Sequence, residues 1–256
     1  MLQAHSLLWN YLWVAPNLLL IVLGLLIWRR GVSRHVPAFL AFAFVSAVGD
    51  LAVFTADVSP VSAVTFWRVD WAYLLVENFL KFVVIGEVFS RVLNPFPSLS
   101  RVGRIFVSGF GAALVLLATV VAVSSRGDSK VPLVSGAHLL EQTVFMVELG
   151  LIVLIFLFVS YFKLSWDRFS FGVLLGFGVS ACAHLAGWAV SANTDLSAHG
   201  RTLLDFFDMA VHHLCVLIWG YYLLVPGKVS TKLTPPTLSE HNLDLWNREL
   251  ERLLQQ

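Results

Sequence analysis

The sequence predicts an all-α, polytopic membrane protein built as a seven-helix bundle, on three observations. Hydrophobic residues make up 58% of the 256 positions, charged residues only 13%, and mean hydropathy is +0.79. A soluble domain carries about 25% charged residues, so this chain has about half the charge that a water-facing surface needs. Apolar runs near the roughly 20 residues that cross a bilayer recur along the chain. Lysines and arginines gather in alternate breaks between them. The same composition excludes disordered, collagen-like and coiled-coil classes. Formal net charge is +1, and the expected surrounding is the lipid bilayer, with no nucleic-acid partner.

Seven spans are expected, over residues 12–28, 37–56, 65–90, 104–124, 133–161, 169–191 and 202–225. The stretch before Leu12 lacks a basic flank, which marks the first run as a retained span and not a cleaved signal. Pro37 suits the first turn of span 2, and Pro132 that of span 5. Asn94-Pro95-Phe96-Pro97 stops span 3, because proline removes a donor and restricts its predecessor. Pro226-Gly227 closes span 7. Barrel strands alternate apolar and polar residues, whereas Leu18–Ile27 is apolar throughout apart from Gly24. In span 6, Gly172, Gly176 and Ser180 recur four apart and leave room for a neighbouring backbone.

Seven spans place Arg29, Arg30, Arg34, Arg91, Arg101, Arg104, Lys163, Arg168, Lys228 and Lys232 on one side. Arg68, Arg126, Lys130 and Arg201 fall on the other. The positive side is cytoplasmic, so the amino terminus lies outside and the carboxyl terminus inside, in a multi-pass protein of the cell inner membrane. Trp9, Trp13 and Trp67 near outer ends, and Trp28, Trp219 and Tyr221 near inner ends, read as interfacial belts. The two cysteines, Cys182 and Cys215, lie in apolar runs without metal spacing and are expected as buried free thiols.

Residues 1–227 are thus the transmembrane domain and 228–256 a cytoplasmic tail. Ser239 can cap a short tail helix whose Leu243, Trp246, Leu250, Leu253 and Leu254 form one apolar stripe. That stripe suits the membrane surface, the underside of the bundle or a cytoplasmic partner.

Ionisable groups at the bilayer centre cost at least about 2.5–3.5 kcal/mol each and usually face the bundle interior. Here they cluster. Asp70, Glu77 and Lys81 form one stripe on span 3, with Glu77 and Lys81 in the favourable i,i+4 order. Span 7 carries Asp205 and the pair Asp208-x-x-x-His212 on one face, while His213 points about 100° away. Span 5 adds His138, Glu141 and Glu148; span 2 adds Ser46 and Asp50; span 6 adds His184. Taking depth from helix direction, Asp50, Asp70, His138, Glu141, His184, Asp205 and Asp208 fall in the outer half. Glu77, Glu148 and His212 fall near the middle. This distribution predicts a polar pocket open to the outside, lined by spans 2, 3, 5, 6 and 7. Its carboxylates and imidazoles suit a cation, a proton, an amine-bearing ligand or a divalent metal, for which Asp208, His212 and His184 are the candidate ligands.

Two resemblances bear on this pocket. Arg68-Val69-Asp70-Trp71 and Asp208-x-x-x-His212 resemble motifs in helices 3 and 7 of the microbial rhodopsins, which implies a seven-helix fold. The retinal-binding lysine position is His212 here, and imidazole forms no Schiff base, so retinal is not expected. Ser46, Asp50, His184, Asp208 and His212 resemble the zinc-site residues of the seven-helix hydrolase superfamily of alkaline ceramidases and progestin/adiponectin-type receptors. That family carries His-x-x-x-His in helix 7 and a histidine in helix 2, both absent here. The reading adopted is a receptor-like or sensory membrane protein binding a small or cationic ligand. The alternatives are a proton- or cation-coupled transporter and a metal-dependent intramembrane hydrolase.

Overall fold

The computed structural model describes residues 6–92, 109, 132–161, 167–193 and 197–225, with only the backbone path for 132–141, 192, 193 and 198. The chain divides into two compact units, Met1–Val225 and Pro226–Gln256. The second unit, with the expected tail helix, lies outside the described residues, as does span 104–124 apart from Gly109. Six α-helices are described: α1 Leu7–Arg29, α2 Pro37–Val58, α3 Ala63–Val92, α4 Pro132–Tyr161, α5 Arg168–Asn193 and α6 Ala198–Leu224. No strand occurs among the described residues.

Local chemistry sets the helix ends. α1 begins five residues before the expected Leu12, because the Ser6 hydroxyl accepts from the Trp9 amide at 3.3 Å and caps the first turn. Asn10 and Tyr11 break the apolar run there without breaking the helix. Ser197 caps α6 in the same way through the Gly200 amide at 3.2 Å, four residues before the expected start. Pro37 occupies the first turn of α2, as expected. α1 ends where Gly31 takes φ 69°, a left-handed conformation that a Cβ disfavours.

The helices form a ring. α1 packs on α2 and α6, α3 on α2 and α4, and α5 on α4 and α6. At one end polar contacts tie helix termini together. Glu87 near the end of α3 accepts from the Ala38 amide at the start of α2 at 2.8 Å and from Arg91 at 2.7 Å. Arg30, just past α1, donates to the Leu224 carbonyl of α6 at 2.6 Å, and Arg168 of α5 donates to that of Tyr221 at 3.2 Å. The bonds to the Ala38 amide and the Leu224 carbonyl satisfy helix-end groups that no intrahelical partner reaches, and Arg168 adds a second donor to the Tyr221 carbonyl, which also accepts from the Val225 amide.

The small-residue stripe on α5 does what its spacing suggested. A Cβ at Gly172 would overlap Tyr222, and one at Gly176 would overlap the Trp219 indole. The backbones therefore lie close, and α6 bonds directly to α5: Trp219 Nε1 donates to the Val173 carbonyl and Cys215 Sγ to that of Gly176, each at 3.2 Å. Two belt assignments are corrected by this packing. Trp219 is 2% exposed, and Trp9 is buried edge-on against Phe206 at 5.3 Å. Depth along a helix does not decide which face a tryptophan occupies. The cysteine expectation also needs correction, since Cys215 is buried but Cys182 is exposed.

On the outer surface of the ring Leu18, Val22, Leu25, Val48, Phe79, Leu157, Phe207 and Leu217 stand exposed. Soluble monomers rarely show apolar surface on this scale. Five helices (α1, α2, α5, α6 and Gln142–Tyr161 within α4) are long and apolar enough to cross a membrane. α3 is long enough but carries Arg68, Asp70, Glu77, Lys81, Glu87 and Arg91. The architecture is that of a helical membrane protein.

The α5–α6 seam should be intolerant of bulk. Gly176→Leu should destabilise the solubilised protein by about 1–3 kcal/mol through overpacking, read as a lowered thermal midpoint. Gly220→Ala, where an added Cβ meets open space, should leave the midpoint unchanged or slightly raised.

Candidate functional site

The ring encloses a cavity of about 620 Å³. Its walls come from all six helices: Trp9, Leu12 and Trp13 of α1, Phe42 and Asp50 of α2, and Phe66, Trp67, Tyr73, Leu74, Glu77, Asn78 and Lys81 of α3. α4 contributes Phe145, α5 contributes Phe177, Ser180 and His184, and α6 contributes Asp205, Asp208, Met209, His212 and Trp219. From Asp205 to Trp219 α6 rises about 21 Å at about 1.5 Å per residue, which sets the depth. The deep end is aromatic. Trp219 meets Phe39, Phe42 and Phe177 at ring-centroid distances of 5.3, 5.8 and 5.3 Å.

The polar walls fall into three groups. Asp50 accepts from the Asn17 amide and from Trp13 Nε1, the latter at 3.3 Å. Asn17 is fully buried and also donates to the Trp13 carbonyl at 2.8 Å, so α1 supplies both donors to a carboxyl group of α2. Glu77 accepts from the Ser46 hydroxyl at 3.1 Å and pairs with Lys81 at 3.6 Å. Lys81 is 7% exposed, and its ammonium stands 5.0 Å from the Phe145 ring centre. The other face of the site begins at Phe145, whose ring stacks on His184 at 4.3 Å and 16°. His184 Nδ1 lies 3.7 Å from Asp208 Oδ1, too long for a hydrogen bond. Among the described residues, Asp208 Oδ1 and His212 Nε2 are buried polar atoms with no hydrogen-bond partner.

Of the residues singled out from the sequence, Asp50, Glu77, Lys81, His184, Asp205, Asp208 and His212 face this one cavity. Asp70 shares the stripe of Glu77 but is not part of the lining. The side chains of His138 and Glu141 lie outside the described residues. His213 turns toward α1, beside the Tyr11 ring at 6.1 Å, which agrees with its angle from His212. Glu148 is 1% exposed and lies behind the wall; neither of its oxygens has a hydrogen-bond partner among the described residues.

Sequence reasoning missed α1 as a wall. The available signal was Asn17, a lone amide within an apolar run. Tyr73 and Asn78 were also missed, though both lie on the helix that carries Glu77.

The candidate metal ligands do not assemble. Among the described residues no three His, Cys, Asp or Glu side chains are grouped as a metal ion requires. Ser46 is directed to Glu77 and not to Asp50 or a histidine. The zinc-hydrolase arrangement that the second resemblance implies is therefore not formed by these side chains. No protein-family model matches the chain, and neither a curated protein nor a solved structure does. The fold and the cavity define the class as a helical membrane protein with a polar and aromatic pocket between its helices.

The Glu77–Lys81 pair should be a stability element of that pocket. Lys81→Met leaves Glu77 inside the wall without its cation and should destabilise by about 3–5 kcal/mol. The double variant Glu77→Gln with Lys81→Met should recover most of this. Thermal unfolding of the purified protein in detergent measures both.

Proposed function

We propose that this chain is a seven-helix integral membrane protein of the cell inner membrane that acts as a receptor or sensor for a small or cationic ligand. In this reading the amino terminus faces outward and the tail faces the cytoplasm. One observation carries it: seven polar residues from four helices, separated by up to 162 positions from Asp50 to His212, meet in a single cavity. A volume of about 620 Å³ lies in the range of about 300–1,000 Å³ common to small-molecule sites. The cavity reaches toward the end of the ring at which α1 begins. Arg29, Arg30, Arg34, Arg91 and Arg168 gather at the opposite end, which supports an outward-facing mouth by the positive-inside rule. The tail, with its apolar stripe, is the proposed output element and would engage a cytoplasmic partner.

The two alternatives draw less support. A transporter needs a route past the deep end, and the Phe39, Phe42, Phe177 and Trp219 rings pack against one another there. A metal-dependent hydrolase needs converging ligands, which the described side chains do not provide.

Thiol accessibility tests the reading. In a Cys182→Ser, Cys215→Ala background, Leu12→Cys and Leu74→Cys place a thiol on the cavity wall, and Phe39→Cys places one below it. A charged, membrane-impermeant maleimide added outside intact cells should label the first two and spare the third. Labelling of the wall positions only from the cytoplasmic side would overturn the orientation, and no labelling from either side would overturn the open pocket.

A further inference from the structure

We infer that the ligand of this cavity is an organic ammonium ion with an apolar or aromatic body, an assignment that rests on the cavity being a ligand site. Charge comes first. Among the described residues, Asp50, Glu77, Asp205 and Asp208 line the space against one basic side chain of fixed charge, Lys81. Lys81 sits 3.6 Å from Glu77, and Asp50 takes its donors from neutral Asn17 and Trp13. On α6, Asp208 Oδ1 and His212 Nε2 face the cavity without hydrogen-bond partners among the described residues. A donor cation with N–H or polarised C–H groups is the chemistry this wall is short of.

The aromatic content decides which kind of cation. Nine of the twenty-one described lining residues are Phe, Tyr or Trp. Indole, phenol and phenyl faces attract ammonium groups through their quadrupoles, and quaternary ammonium ions are the usual guests of such walls. A bare or hydrated metal ion instead needs converging oxygen or nitrogen atoms, which the described side chains do not offer. A space of about 620 Å³ also exceeds what one ion fills.

Acid and aromatic surface meet at the mouth, where Trp9, Trp13, Phe66 and Trp67 also line the space, and the far end is aromatic. The carboxyl groups of Asp50, Asp205 and Asp208 stand toward the mouth, and Phe42, Phe177 and Trp219 close the far end. The ammonium group therefore sits near Asp208 and Trp13, and the body of the ligand extends down toward Trp219. Arrival of a ligand at that depth changes the packing where α6 meets α5, through the indole that bonds to the Val173 carbonyl.

A matched set of probes tests the assignment on the full chain in lipid nanodiscs. Benzyltrimethylammonium is the cation, neopentylbenzene its neutral isostere and phenylacetate the anion. Intrinsic tryptophan fluorescence and the thermal midpoint report binding, since four tryptophans line the space. Benzyltrimethylammonium should bind saturably and at least about tenfold more tightly than neopentylbenzene. Asp205→Asn with Asp208→Asn should remove most of that preference without weakening neopentylbenzene. Equal binding of cation and isostere, or preference for phenylacetate, would overturn the ammonium assignment while leaving a ligand pocket in place. Absence of saturable binding by all three overturns the assignment too. Coupled with wall thiols that stay unlabelled, it overturns the pocket itself.

Discussion

A carboxyl group carried to membrane depth is costly without a donor or a counter-charge, and that cost organises much of this bundle. Lipid offers no hydrogen bonds, so each polar side chain in a span turns inward. The ring of six helices is the arrangement that lets them do so together. Asp50 turns toward α1, Glu77 toward α2 and Lys81, and Asp208 toward His184. Apolar residues take both remaining places: Leu20, Phe39, Ile85 and Leu174 pack between the helices, and Leu18, Val22, Phe79 and Leu217 stand on the outside. The exterior is thus hydrocarbon, and the interior holds its charged groups beside an apolar core.

The ring is held by two unlike devices. Along the α5–α6 seam the missing Cβ atoms of Gly172 and Gly176 bring the helices close, and indole and thiol donors then reach backbone carbonyls. Without a hydrophobic drive between helices in lipid, close approach and interhelical hydrogen bonds are what association has to draw on. At the basic end, Arg30, Arg91 and Arg168 bind helix termini and acidic caps. Both fastened regions lie at the deep end of the cavity, with Trp219 of the seam at its floor; on the wall, Asp208 Oδ1 and His212 Nε2 have no hydrogen-bond partner among the described residues.

Much of this was legible before any coordinates, because two rules carry far in membrane sequences. Helix direction alternates, so position along a span gives depth; angular position gives face. Those rules placed Asp50, Glu77, His184, Asp208 and His212 in one pocket and set His213 apart from it. They failed where depth was used without face. Trp9 and Trp219 were assigned to interfacial belts, and both are buried in the bundle. Which face a tryptophan shows depends on neighbours such as Gly176 and Phe206, and pairings between distant helices are not written in either helix alone. The wall from α1 was missed for a related reason. Asn17 looks incidental in an apolar run until Asp50 is known to lie opposite it. The rhodopsin-like and hydrolase-like motifs were legible as strings, yet Ser46 bonds to Glu77 and so leaves the hydrolase pattern unassembled.

The order in which the chain is made gives the pairing scheme a meaning in biogenesis. Membrane proteins emerge amino terminus first. Asp50 on α2 finds Asn17 and Trp13 on the helix made just before it. Glu77 on α3 finds Ser46 on α2 and Lys81 one turn ahead on its own helix. Each early acid thus meets its partner soon after it leaves the translocon, with no wait for later segments. Asp205 and Asp208 come last, when the other walls already stand, and they close the ring against α1. Asp208, with one oxygen unpartnered among the described residues, is thus an acid for which no nascent intermediate has to survive long.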